Sequence, residues 1–76
     1  MKDLLIYIVS SIVDHPEDVV VTETEADGAL TLKLALNAED VGKVIGRQGR
    51  IARAIRTIIK SAGAAENKKV TVDIQS

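Results

Sequence analysis

A chain of 76 residues with no cysteine and a single aromatic, Tyr7, has room for one small domain with an aliphatic core and excludes a disulfide framework or a thiolate metal centre. Hydrophobic residues make up 46% and charged residues 28%, which excludes a disordered polyelectrolyte, and no apolar run approaches the roughly 20 residues of a membrane span. The net charge of −1 hides a segregation: residues 1–40 hold two basic and nine acidic groups (−7), while residues 41–60 hold six basic groups and no acid (+6). Screening at physiological salt acts over about 8–10 Å, so a ligand beside residues 41–60 meets a cationic surface.

In chain order, Met1 to Val13 reads as a helix on the stripe Leu4, Leu5, Ile8, Val9 and Ile12. Ile6 and Tyr7 fall outside the centre of that stripe. They suit packing under a neighbouring loop, with a subunit contact as the second reading. Asp14-His15-Pro16 ends the helix, because the residue before proline is driven out of the α region. His15, the only histidine, has Ser10 and Asp14 near it in sequence, but nothing supplies a shielded pocket for a base and nucleophile, so it reads as a turn residue.

The β-branched run Val19 to Thr22, within Glu17 to Glu25, predicts a strand. Asp27-Gly28 is a two-residue hairpin turn, and Leu30 to Leu36 alternates with four leucines on one side. The two strands form an antiparallel hairpin over a helical layer. Asn37 is an N-cap for a short helix from Ala38 to Ile45, with Asp40 returning the bond in the manner of a capping box. Gly42 weakens that helix by about 0.5–1 kcal/mol relative to alanine, so Val41, Val44 and Ile45 must hold it by packing.

A third helix runs from Arg50 to Ala62 and stops at Gly63. Ile51, Ala54, Ile55, Ile58, Ile59 and Ala62 gather on its core side, and Arg53, Arg56 and Lys60 on the other. Lys68 and Lys69 mark a solvated entry to a last strand, Val70 to Ile74, which again alternates. The order helix, strand, strand, helix, helix, strand makes the class α+β.

Between the second and third helices stands Gly46-Arg47-Gln48-Gly49. Glycines three apart allow positive φ and a close approach by a ligand backbone, and the following helix start, with Arg47 and Arg50 beside it, favours an anion. Flanked by Val44-Ile45 and by Arg50-Ile51-Ala52-Arg53-Ala54-Ile55, the loop resembles the Gly-x-x-Gly motif of the KH domain, which grips a nucleic-acid backbone. The element order is similar to the type II, or prokaryotic-type, KH fold over nearly the whole chain. The opening Met1 to Leu5, the turn Val13 to Val19 and the stretch Gly46 to Arg56 resemble more narrowly the stand-alone bacterial KH proteins of the KhpA (YlqC) family.

That resemblance implies one KH domain over residues 1–76, with a three-stranded mixed sheet, strand two central and parallel to strand three, and three helices on one face. It further implies a cytoplasmic protein that binds single-stranded RNA, without cofactor or metal. The expected role is that of an RNA chaperone, working as a homodimer or with a larger KH-containing (KhpB/Jag-like) partner in cell-wall homeostasis and cell-length control. The expected RNA-binding residues are Lys43, Ile45, Gly46, Arg47, Gln48, Gly49, Arg50 and Arg53. Arg47, Arg50 and Lys43 meet phosphates, Gln48 adds a neutral donor, and Ile45, Ile51 or Ala52 and the Leu30 to Leu36 strand offer an aliphatic floor. Many KH motifs carry a larger aliphatic where this chain has Ala52.

Two other functions fit the residues. Lys43 to Lys60 has the length and glycine turn of a helix-turn-helix for duplex DNA, and a basic helix face also suits a scaffold for an acidic protein. An enzyme is disfavoured by the lack of a Gly-x-x-x-x-Gly-Lys loop, a metal cluster or a base–nucleophile pair.

Overall fold

The sheet starts from its turn. Asp27 and Gly28 both take positive φ, 52° and 77°, the combination of a type I′ hairpin whose twist matches that of the strands it joins. In the computed structural model, which describes residues 1–74, that turn links β1 (Val20–Ala26) to β2 (Ala29–Ala35), antiparallel from Ala26↔Ala29 to Val20↔Ala35. The last two positions of the expected 1–76 domain lie outside the described residues. β3 (Lys69–Ile74) joins the other side of β2 in parallel, pairing Leu30 with Val70 and Leu32 with Val72, so β2 is central as expected. Parallel pairing requires a crossover, and α2 (Ala38–Ile45) and α3 (Arg50–Ala65) supply it.

Alternation along β2 decides which face the helices cover. Leu30, Leu32 and Leu34 are buried with Val70 and Val72 of β3, while Lys33 and Ala35 remain exposed. Leu5 and Val9 of α1 (Lys2–Ser10), Val44 of α2, and Ile55 and Ile59 of α3 complete the cluster on the leucine face. The core is wholly aliphatic, and no side-chain nitrogen or oxygen buried among the described residues lacks a hydrogen-bond partner.

Four local expectations are revised. α1 stops at Ser10 rather than Val13, since the Ser11 hydroxyl donates to the Tyr7 carbonyl and the chain leaves through a turn in which Val13 N–H still reaches the Val9 carbonyl. Ile6 and Tyr7 part company: Ile6 packs against the core, whereas Tyr7 is 73% exposed. Asp40 does not close a capping box. Asn37 caps alone, its side-chain oxygen accepting from Glu39 N–H, while the Asp40 carboxylate turns inward to another partner. Gly63 does not end α3, which continues to Ala65. It is buried where α3 presses on β3, and a Cβ there would stand 2.5 Å from Val70 Cγ2 and 3.1 Å from the Lys68 carbonyl.

The two helical glycines therefore predict opposite signs. Gly42 has nothing within 4 Å of a built Cβ, so Gly42→Ala should stabilise the protein by about 0.5–1 kcal/mol. Gly63→Ala should destabilise it by about 1–3 kcal/mol through overpacking against Val70. Urea denaturation of both variants measures the difference; a gain at position 63 would contradict the tight helix–strand contact.

Candidate nucleic-acid interface

α2 ends at Gly46, whose φ of 74° and ψ of 177° lie in a region open essentially to glycine alone. The Gly46 N–H still closes the helix on the Gly42 carbonyl at 2.8 Å. A Cβ at this position would fall 2.6 Å from Ile51 Cγ1, so the glycine lets α3 fold back against the end of α2. Gln48 (φ 58°) and Gly49 (φ 72°, ψ 15°) then take two left-handed steps, which turn the chain into α3. At Gly49 nothing lies within 4 Å of a built Cβ. The two glycines thus serve different ends: the first admits Ile51, and the second leaves open space on the outside of the elbow.

The start of α3 has no side-chain cap, so its first N–H groups have no partner of that kind and face the elbow with the positive end of the helix dipole. Arg47, Arg50 and Arg53 are exposed, and among the described residues none lies within ion-pair distance of a carboxylate. Arg56 differs, since its Nε donates to the Val72 carbonyl at 3.4 Å and the side chain leans toward β3.

α3 has three sectors rather than the two expected. Ala52, Ile55, Ile59 and Gly63 form a narrow buried arc, and Ile51 (38% exposed), Ala54 and Ile58 (48% exposed) are left on an outer flank. Ala54 is small enough that Arg50, Arg53, Thr57 and Ile58 rim an open depression around it. The aliphatic floor is likewise revised. Ile45 (37% exposed) and Ile51 present apolar surface beside the elbow, but Ala52, Leu30, Leu32 and Leu34 are buried in the core, and Leu36 is only partly covered.

Lys43 is not brought together with the rest. Two residues apart on one helix, Lys43 and Ile45 project about 160° from each other, so they line opposite flanks of α2. The Lys43 ammonium pairs with the Asp14 carboxylate. This contact holds the Asp14 carboxyl below the usual carboxylate range and raises the Lys43 ammonium above its ordinary value, with the hydrogen bond as the larger cause in both.

Sequence reasoning missed the inward role of Asp40, which is 0% exposed. Its Oδ1 accepts from Asp14 N–H at 3.1 Å and its Oδ2 from His15 N–H at 3.0 Å. The signal was present: Asp40 stands four residues before Val44, on the helix face that must be buried.

A helix–strand–strand–helix–helix–strand chain with a mixed sheet, carrying a Gly-x-x-Gly elbow between its second and third helices, is a type II KH domain. Comparison with known proteins makes the placement specific: the model of the KhpA/KhpB KH domain matches residues 2–74. The chain is 54% identical over 74 residues to RNA-binding protein KhpA of Clostridium perfringens, covering 97% of this chain and 99% of that one. It is 51% identical to RNA-binding protein KhpA of Listeria monocytogenes serovar 1/2a, covering 97% of both, and 46% identical to that of Bacillus subtilis, covering 97% of this chain and 91% of the relative. The chain belongs to the KhpA/KhpB KH-domain family, which is not a family of enzymes. Among the described residues no helix is long and apolar enough to cross a membrane.

The geometry separates the two elbow glycines by experiment. Gly49→Ala should cost only about 1–2 kcal/mol, the strain of a left-handed alanine, with the fold intact. Gly46→Ala adds a collision with Ile51 to a backbone strain of about 1–3 kcal/mol and should lower the melting temperature further. Equal melting temperatures for the two variants would show that Ile51 does not need the space at position 46.

Proposed function

We propose that the protein binds single-stranded RNA by seating about four nucleotides of sugar-phosphate backbone against the Gly46–Gly49 elbow. The observation that carries this reading is the open, glycine-lined elbow flanked by arginines with no carboxylate partner among the described residues. Arg47, Arg50 and Arg53 meet phosphates, Gln48 donates a neutral hydrogen bond, and Ile45 and Ile51 give the bases an apolar edge. Lys43, on the far flank and paired with Asp14, is outside this set. Similarity to relatives named RNA-binding proteins supports the choice of RNA over duplex DNA or an acidic protein.

With no aromatic at the elbow, stacking worth about 1–3 kcal/mol per base is missing. Binding therefore rests on the backbone and is weak, salt-sensitive and quick to exchange, properties that suit an RNA chaperone. A second copy raises the effective affinity through avidity. The exposed flank of Ala54 and Ile58 supports either a homodimer or pairing with a larger KH-containing (KhpB/Jag-like) protein. The cytoplasmic setting, in cell-wall homeostasis and cell-length control, rests on the family resemblance.

Arg47→Asp with Gln48→Asp places two negative charges at the phosphate seat without touching the core. Crosslinking to single-stranded RNA should vanish, with melting temperature and oligomeric state unchanged; undiminished crosslinking would reject the elbow as the binding site. For the wild type, the logarithm of the binding constant should fall against log salt with a slope of about −2, near −0.7 for each of three phosphates. Ile58→Asp tests the flank separately: light scattering should show a monomer whose RNA affinity per site is retained, and an unchanged mass would place the second copy elsewhere.

A further inference from the structure

We infer that Asp40 is a positioning residue for the RNA-binding elbow, holding α2 in place through the turn that follows α1; this rests on the reading of the elbow given above.

α2 is eight residues long, and only Asp40 and Val44 are buried. Little apolar area fixes it, yet its last residue leads directly into Gly46. Polar side chains spaced along α2 and its cap grip one segment instead. Asn37 Nδ2 donates to Asp18 Oδ2 at 2.9 Å, Glu39 Oε2 stands 3.3 Å from His15 Nε2, and Lys43 pairs with Asp14. At the centre, the two oxygens of Asp40 take the consecutive N–H groups of Asp14 and His15. Those donors come from backbone, so the grip does not depend on the identity of the side chains at 14 and 15.

A carboxylate suits this place because it offers two acceptors and no donor. An amide would turn an NH₂ toward one of the two N–H groups and leave that donor unpaired in a buried site. The other three contacts are exposed or half-buried and individually weak. Asp40 is the one member shielded from water, and so the one whose loss frees α2 to shift. Every nucleotide seated on the elbow then has to select the aligned arrangement, and the apparent dissociation constant rises as the inverse of the aligned fraction.

His15 adds a pH dependence to the same grip. Its ring stands 3.3 Å from Glu39 Oε2 of α2 and 3.5 Å from Glu17 Oε1 of the adjoining turn, clustered with Asp18, while its backbone N–H donates to Asp40 and Asp14 lies beside it in the chain. The hydrogen bond to Glu39, aided by the charges of Asp40, Glu39 and Glu17, raises the His15 pKa above its ordinary value. A histidine whose pKa is raised on folding stabilises the fold fully below its unfolded pKa of about 6.5, and that contribution is lost as pH rises through the folded value.

The test measures RNA affinity, melting temperature and amide hydrogen exchange of Gly46 and Gly49 for Asp40→Asn. Its control is Val70→Ala, a core truncation beside Gly63, about 20 Å along α3 from the elbow. Asp40→Asn should bind single-stranded RNA about tenfold more weakly, as for an aligned fraction of one tenth, and exchange its elbow amides faster. Val70→Ala, with a comparable fall in melting temperature, should bind as the wild type does. Positioning is overturned if Asp40→Asn keeps wild-type affinity while Arg47→Asp with Gln48→Asp abolishes binding, a result that leaves the elbow reading intact. It is also overturned if Val70→Ala weakens binding as much as Asp40→Asn. Retained binding by the elbow variant would instead defeat the elbow reading and the proposal with it. Should Asp40→Asn not fold, Asp40→Glu carries the test: it keeps the charge and both acceptors but displaces them by one methylene, so its RNA affinity should fall by about threefold and its elbow amides should exchange faster. Wild-type affinity and exchange in Asp40→Glu overturn the proposal.

Discussion

Ile51 occupies the space where a side chain at position 46 would begin. That contact fixes the angle between α2 and α3, because α3 can fold back beside the end of α2 only if residue 46 has no Cβ. Once the angle is set, Ile55 and Ile59 are carried over the β2 leucines, and Gly63 reaches β3 closely enough to touch Val70. The same geometry leaves Gly49 on the outer side of the bend. A binding elbow and a tightly packed crossover therefore come from one steric fact, and a change that relaxed one would disturb the other.

Charge follows the same division. The acids of the first half are not spread evenly as solubilising groups. Asp14, Asp18, Glu39 and Asp40 are used up in holding α2 to the turn after α1, three of them through exposed contacts and one through a buried carboxylate. Lys43 is drawn into that group and away from the elbow. The arginines beyond Gly46 have no such partner among the described residues, so the cationic surface remains available to a ligand although the net charge is −1. Intramolecular pairing on one flank is what leaves the other unneutralised.

The fold was largely legible because each element announces itself locally. Asp27-Gly28 dictates its turn, the leucines of β2 alternate at period two, and Asn37 caps α2. The elbow was legible for the same reason, since Gly-x-x-Gly between two helical patterns encodes backbone geometry directly. What was not legible depends on contacts distant in sequence. Gly63 looked like a helix stop because its partner Val70 belongs to another element. Asp40 looked like a cap because its donors lie 25 and 26 residues earlier in the chain. Periodicity placed Ile51, Ala54 and Ile58 on the core side, but a 16-residue helix on a three-stranded sheet can bury only a narrow arc. Lys43 was grouped with the elbow by nearness in sequence, whereas position around α2 decides which flank it serves.

The two edges of the sheet constrain how such a small domain can associate. On β1, Glu23 and Glu25 pair across the hairpin with Leu32 and Leu30 and so share the helix-facing side, yet both are exposed because the helical layer does not extend over them. A strand added along β1 would have to desolvate those carboxylates, a recognised defence of free edges. On β3 the Val72 carbonyl already accepts from Arg56. The uncovered face of the sheet carries a row of threonines, Thr24, Thr31 and Thr71, which favour strand geometry while remaining polar. Strand addition is thus discouraged at both edges and the centre of the open face is polar, so association costs less in lost hydration at the exposed apolar side chains elsewhere, Ile51 and Ile58 on the flank of α3 and Tyr7 on α1.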